Sequence, residues 1–365
     1  MNATDFNLET YLAQGAEKIL RQLTRFSEFH PAEAAFMARF ALSARQAGAR
    51  RQRCFEEGLH VPPFLIASIT SLCNLHCSGC YARSMDTCSD GTPVDQMKDS
   101  DWERVFAQAE ELGISFILLA GGEPMARMDV IHAAARHADI LFPVFTNGTM
   151  LNEGRVSLFN DHRNLIPVIS LEGDERATDA RRGEGVFQRV QNGMSALREK
   201  RIPFGVSITV TRENAQAVTE AEFVRQLMSY GVKAIVYVEF VPTEDALEGL
   251  AFTDADRESF TARLDALRAD SDMPMLIAFP GDERRSGGCL AAGRGFFHIN
   301  SHGGAEPCPF SPYSDVDLKR STLRDALQSK LFRALNEEGL LQEDHDGGCV
   351  LFRQRQRVSE LLNAE

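Results

Sequence analysis

From residue 64 to about residue 270, short apolar runs alternate with longer amphipathic stretches, and this alternation limits the possible folds more than any other feature. FLIASIT, ISFILLA, LFPVFT, LIPVISLEG, PFGVSITVT and KAIVYVEFVP are rich in β-branched and aromatic residues and read as strands. Between and after them come helical patterns: near 99 to 112, from about 129, from about 151, VFQRVQNGMSALREK, AEFVRQLMSYG, and near 254 to 269. Six β-then-α units are countable. Strands that read as continuous apolar runs, joined by crossovers long enough to hold a helix, imply a parallel sheet covered on its outer face. Periodicity alone fits both an open barrel and a flat doubly wound sheet.

The flanks differ. Residues 1–57 read as two helices, LETYLAQGAEKILRQL and PAEAAFMARFALSARQ, ended by the prolines of VPPFLIASIT. After about residue 275 the rhythm gives way to a Gly-rich, Cys-bearing stretch with a short strand candidate, GFFHINS, and a helical pattern, TLRDALQSKLFRALNEEG. The organisation expected is therefore an N-terminal helical extension (1–57), an α/β unit (58–274) and a small C-terminal module (275–365).

Charge and composition remove several classes of function. A net charge of -13 repels phosphate backbones, and the basic cluster RQAGARRQR at 45–53 reads as a solvated helix face, so no nucleic-acid partner is expected. No apolar run is long enough for a membrane span. The first twenty residues lack a basic start, an apolar stretch and a small-residue cleavage site, which makes the cytoplasm the expected address.

Of the eight cysteines, three fall within eight positions in CNLHCSGC, as Cys73, Cys77 and Cys80, just after the first strand. In a reducing compartment such clustering argues for metal or redox chemistry rather than disulfides. A compact loop with three thiols leaves one iron of a four-iron cluster free. A zinc knuckle, or a four-ligand set completed by Cys88 with His76 inside the loop, fits the same residues less well, because paired C-x2-C units are missing.

CNLHCSGCY resembles the CxxxCxxC signature of radical S-adenosylmethionine enzymes. The resemblance extends through AGGEP at 120–124, FTNGTML at 145–151 and ISLEGDERATDARRGEGVF at 169–187, in the family's order and at strand ends. It implies a fold of class α/β, a partial (β/α)6 TIM-like barrel, with the site at the carboxyl ends of the strands. It also implies a 4Fe-4S cluster on Cys73, Cys77 and Cys80 whose open iron binds S-adenosyl-L-methionine, reductive cleavage to a 5′-deoxyadenosyl radical, and hydrogen abstraction from substrate. Gly121, Gly122 and Glu123 resemble the family's GGE segment facing the cosubstrate's ammonium. Thr146, Asn147 and Ser170 resemble positions for the ribose or methionine part, and Arg182 the arginine for the methionine carboxylate. AGGEP and TNG are also turn-forming sequences. One departure stands out: the family often has an aromatic residue before the third cysteine, where this chain has Gly79.

Cys289, Cys308 and Cys349 are far apart, and scattered cysteines are commonly small buried apolar residues. Their setting, CLAAGRGFFHINSHGGAEPCPF and HDGGCVLF, resembles the auxiliary-cluster module called SPASM or, shortened, Twitch. Three cysteines instead of seven imply the shortened form and a second iron-sulfur cluster. Cys54 and Cys88 lack such surroundings. The activity expected is radical modification of a peptide or small-molecule substrate, with an electron donor such as a flavodoxin or ferredoxin; a two-cluster electron carrier without catalysis is the alternative. No catalytic acid or base can be named from the sequence.

Overall fold

The computed structural model describes residues 31–91, 93–286, 288–341 and 349–363. The first expected helix, LETYLAQGAEKILRQL, lies outside them. The second is α1 (Pro31–Glu56).

Among the described residues, nine strands form one sheet in the order β7-β6-β5-β4-β3-β2-β1-β8-β9. These are β1 (Phe64–Thr70), β2 (Phe116–Gly121), β3 (Phe142–Thr146), β4 (Leu165–Leu171), β5 (Phe204–Val210), β6 (Val232–Glu239), β7 (Met275–Phe279), β8 (His298–Ile299) and β9 (Ala305–Glu306). Strands β1 to β7 pair in parallel with their sequence neighbours, β8 joins β1 in parallel, and β9 turns back antiparallel. No pairing joins β7 to β1, so the barrel is partial.

Crossovers carry helices that include α2 (Asp99–Leu112), α3 (Met128–Arg136), α4 (Glu153–Asp161), α5 (Glu175–Arg182), α6 (Val186–Glu199), α7 (Ala221–Ser229) and α8 (Asp254–Ala269). In α2 the apolar positions Trp102, Val105, Phe106, Ala109 and Leu112 recur every three or four residues and are all buried. The helix stops at Gly113, whose φ of 87° suits a residue without a Cβ.

The sheet curls around an apolar cavity of about 320 Å³ into which Phe64, Leu118, Phe145, Val168, Gly205, Val236 and Ile277, one from each of β1 to β7, project. Phe36, Met37 and Phe40 of α1 line it too, and the Phe40 ring meets that of Phe116 edge-on at 5.4 Å. Since Phe64 and Phe116 begin their strands, α1 covers the amino-terminal mouth. The carboxyl ends stay available for chemistry.

One strand goes beyond the expected count. MLIAF at 275–279 pairs in parallel with β6, so the barrel sheet runs into the segment given above to the C-terminal module. No crossover helix follows it, and the alternation that marks the other strands is absent there. The remaining module joins the barrel through β8, whose His298 and Ile299 pair with Ile66 and Ala67 of β1.

Candidate functional site

The loop after β1 brings Cys73, Cys77 and Cys80 together at the carboxyl end of the barrel. Its backbone is pinned from several sides: Cys73 N donates to Ser89 O at 3.0 Å, Ser78 N to Arg181 O at 2.8 Å and Cys80 N to Cys77 O at 3.2 Å. Arg83 closes the loop from outside, donating to the carbonyls of Leu75 and Cys73 and to Asp90, which also holds His76 at 2.9 Å. His76 is thereby turned to solvent. The Cys88 thiol donates to Cys73, and this hydrogen bond holds Cys73 below the usual thiol range. Burial pushes Cys77 up, opposed by the positive charges of Arg182 and Arg181.

Gly79 explains the departure in the signature. It has φ +63°, and a Cβ there would lie 2.7 Å from the Phe240 ring. The chain just after β6 thus sets the Phe240 ring against this position. The space is filled from elsewhere.

Behind this loop passes the AGGEP segment. A Cβ on Gly121 would lie 2.2 Å from Thr70 O, and one on Gly122 would lie 2.2 Å from Leu72 O, so both glycines are demanded by the cysteine loop itself. Gly122 N and Glu123 N extend the β1 pairing to Thr70 O and Leu72 O. The buried Glu123 carboxyl accepts from Met125 N at 3.0 Å, Thr146 Oγ1 at 2.7 Å and Asn147 N at 2.7 Å. Burial nevertheless raises it to about 7. Asn147 Nδ2 then reaches Asn74 Oδ1 at 2.9 Å, which ties the TNG turn to the cysteine loop. Glu123, Thr146 and Asn147 are therefore one assembly, and Glu123 lines a cavity of about 320 Å³ beside Cys73, Asn74 and Met150.

Arg182 lies against the same thiols from the other side. With Arg181 it grips Glu172 Oε1, at 2.7 Å from Arg182 Nε and 2.7 Å from Arg181 Nη1, and Arg181 also donates to Thr209 at 2.8 Å. Glu172 is 2 % exposed, and its second oxygen has no hydrogen-bond partner among the described residues. Such an orphan in a buried carboxylate is costly unless a ligand meets it. Ser170, two residues earlier, contacts Ser207 at 3.2 Å and is not linked by hydrogen bonds to the cysteine loop.

The second trio is gathered as well. Cys289 and Cys308 are buried. The Cys308 thiol donates to Cys349, which holds Cys349 below its usual range, while Cys308 is pushed well up. Burial raises Cys289, helped by the nearby Glu283 and Cys349. Among the described residues no three His, Cys, Asp or Glu side chains converge on a single-ion position. A multi-iron cluster spreads its thiolates over different irons, so thiols gathered but not convergent suit it.

A cleft of about 380 Å³ is bounded by Ser68, Tyr81, Cys88, Asn300, His302 and Glu306 among others. His298 sits in its wall with Nε2 2.7 Å from Ser68 Oγ and Nδ1 2.6 Å from Glu306 Oε2. Register pairs on neighbouring strands face the same way, so His298 shares the face of Ile66, which lines the barrel cavity. Neither this chain of contacts nor Glu172 was named by sequence reasoning. Only the H in GFFHINS hinted at the first, and the acidic residue of SLEGD at the second.

Residues 67–224 match the family model described as the Radical SAM superfamily. The AdoMet-dependent heme synthase of Methanosarcina barkeri is 25% identical over 317 residues, which cover 79% of this chain and 87% of that protein. The sporulation killing factor maturation protein SkfB of Bacillus subtilis is 28% identical over 205 residues, 54% of this chain but only 48% of its own length. Among solved structures, Streptococcus suis SuiB bound to precursor peptide SuiA superposes with a TM-score of 0.63 at 16% identity, over 80% of this chain and 70% of SuiB, a likeness of fold.

Proposed function

From the match of residues 67–224 to the Radical SAM superfamily we propose that the chain is a radical S-adenosylmethionine enzyme in which Cys73, Cys77 and Cys80 hold the cluster at which S-adenosylmethionine is cleaved. The gathering of these three thiols beside Arg182 and the half-satisfied Glu172 is the observation that carries this reading. When bound, the 4Fe-4S cluster and S-adenosylmethionine together supply a 5′-deoxyadenosyl radical that takes hydrogen from substrate.

The protein's own part is positional. Arg181 and Arg182 favour the thiolate form of Cys77, which ligation requires. Glu123 fixes the TNG turn against the cysteine loop, and its carboxylate, the form it takes above about 7, suits an ammonium group. The free Glu172 oxygen is a hydrogen-bond acceptor suited to a hydroxyl. Cys289, Cys308 and Cys349 hold a second cluster, and an electron donor of the ferredoxin or flavodoxin kind serves the first.

Substrate enters the cleft lined by Ser68 and His298, where His298, steadied by Glu306, can hold or pass a proton at Nε2 through Ser68. The substrate is a peptide or a small molecule: similarity to the heme synthase runs over most of both chains, and the PqqA peptide cyclase of Gluconobacter oxydans is likewise matched over 68% of this chain and 70% of its own length.

Anaerobic reconstitution followed by iron and sulfide counting, with chromatography of 5′-deoxyadenosine after reduction, tests the assignment. Formation of 5′-deoxyadenosine that disappears in Cys77→Ala is expected. Clusters without any cleavage would mark an electron carrier instead. A panel of tetrapyrroles and peptides, scored by stimulation of 5′-deoxyadenosine release, tests the substrate class.

A further inference from the structure

The three auxiliary cysteines do not sit alone. Glu283 follows β7, on a short 3-10 segment that begins directly after it (Gly281–Ser286), and its side chain is turned into the protein at 4 % exposure. Cys289 donates its thiol hydrogen to this carboxyl, Cys349 is an electrostatic neighbour, and Leu290 N donates to Oε2 at 3.3 Å. Cys308, hydrogen-bonded to Cys349, completes the group. Three thiols and one carboxylate therefore lie together, and of these Cys289, Cys308 and Glu283 are buried.

A carboxylate is costly to bury beside thiols that become anionic on binding metal, because like charges and desolvation act together. Arg294 is a compensating cation, and its Nη1 is engaged with the backbone carbonyl of Cys289 at 2.6 Å. A cubane presents four irons, and the three cysteines account for three. Oxygen ligands are chemically competent for iron.

We propose that Glu283 is the fourth protein ligand of the auxiliary cluster, so that this cluster is closed by three thiolates and one carboxylate. The proposal rests on the reading that Cys289, Cys308 and Cys349 hold a cluster, and it deepens that reading. A closed cluster binds no substrate directly. Its role is then electron transfer, and substrate recognition falls to the cleft lined by Ser68 and His298.

The test uses the full chain carrying Cys73→Ala, Cys77→Ala and Cys80→Ala, so that all remaining iron belongs to the auxiliary site. After anaerobic reconstitution this protein is expected to hold about four irons. Adding Glu283→Gln, which keeps size and a hydrogen-bond acceptor but not the anionic ligand, is expected to remove about one iron in four and to yield the paramagnetic three-iron form by EPR. Glu283→Cys is expected to restore the full count with an altered EPR spectrum, and circular dichroism verifies that each variant folds. Unchanged iron and an unchanged spectrum in Glu283→Gln would overturn the ligand role while leaving the cluster in place. Iron loss on Asp346→Asn, three positions before Cys349, with none on Glu283→Gln, would transfer the role to that residue. Absence of iron from the triple-alanine protein would overturn the auxiliary cluster and this proposal together.

Discussion

The two cysteine trios solve different problems. Cys73, Cys77 and Cys80 come from one loop, are only half-buried, and border cavities and an orphaned carboxylate oxygen. Cys289, Cys308 and Cys349 are recruited from distant parts of the chain, and Cys289 and Cys308 are buried together with Glu283. A site that must admit a cosubstrate needs an open edge and a compact set of ligands on one loop. A site that only passes electrons can be sealed by the whole module.

The sharpest way to break that contrast is Cys77→Ala. It should lower 5′-deoxyadenosine formation to that of a protein-free control, while iron bound by the second trio stays. Equal loss of iron from both sites would mean that the trios are not independent.

Next in size is Glu123→Gln. Its carboxyl accepts three hydrogen bonds, and replacing one oxygen by a donor should reduce cleavage about tenfold to a hundredfold, matching about 1.5–3 kcal/mol. The same group predicts a pH effect on the cluster-free protein. Its folded value is raised to about 7 from 4.5, so the protonated form is favoured by folding. That contribution is fully present below pH 4.5 and is lost as pH rises through about 7, on the order of 3 kcal/mol. Urea unfolding across this window should show the decline in the parent and a flatter profile in Glu123→Gln; parallel profiles would count against the burial of an ionisable carboxyl here.

Gly79→Ala should have a smaller effect. A left-handed alanine costs about 1–3 kcal/mol, and its Cβ meets the Phe240 ring. Pairing it with Phe240→Ala should recover part of the loss in thermal stability, whereas strict additivity would deny the contact.

Least affected should be cleavage in Cys308→Ala. Uncoupled 5′-deoxyadenosine formation is expected within about twofold of the parent while total iron falls by about half. A cleavage defect as deep as that of Cys77→Ala would erase the division between the two regions.

Features carried by neighbouring residues were legible in the sequence. CNLHCSGC is a local motif, the six β/α units follow from local periodicity, and α1 follows from PAEAAFMARFALSARQ. What escaped depends on residues that only the fold brings together. Phe240 against Gly79, Glu306 and Ser68 on His298, and Glu283 among the auxiliary thiols have no common sequence signal. Strand β7 was missed for the opposite reason: it is short and no helix follows it to reveal the rhythm. The glycines of AGGEP also have a packing role that no local signal names. They make room for the backbone of Thr70 and Leu72.

The most direct test of the contrast is the EPR spectrum of the reduced Cys289→Ala, Cys308→Ala, Cys349→Ala protein, recorded before and after S-adenosylmethionine is added. Only the loop of Cys73, Cys77 and Cys80 can then hold iron. A spectrum that changes on addition is the result predicted for an iron left open to the cosubstrate, and a cluster signal that stays the same would contradict it.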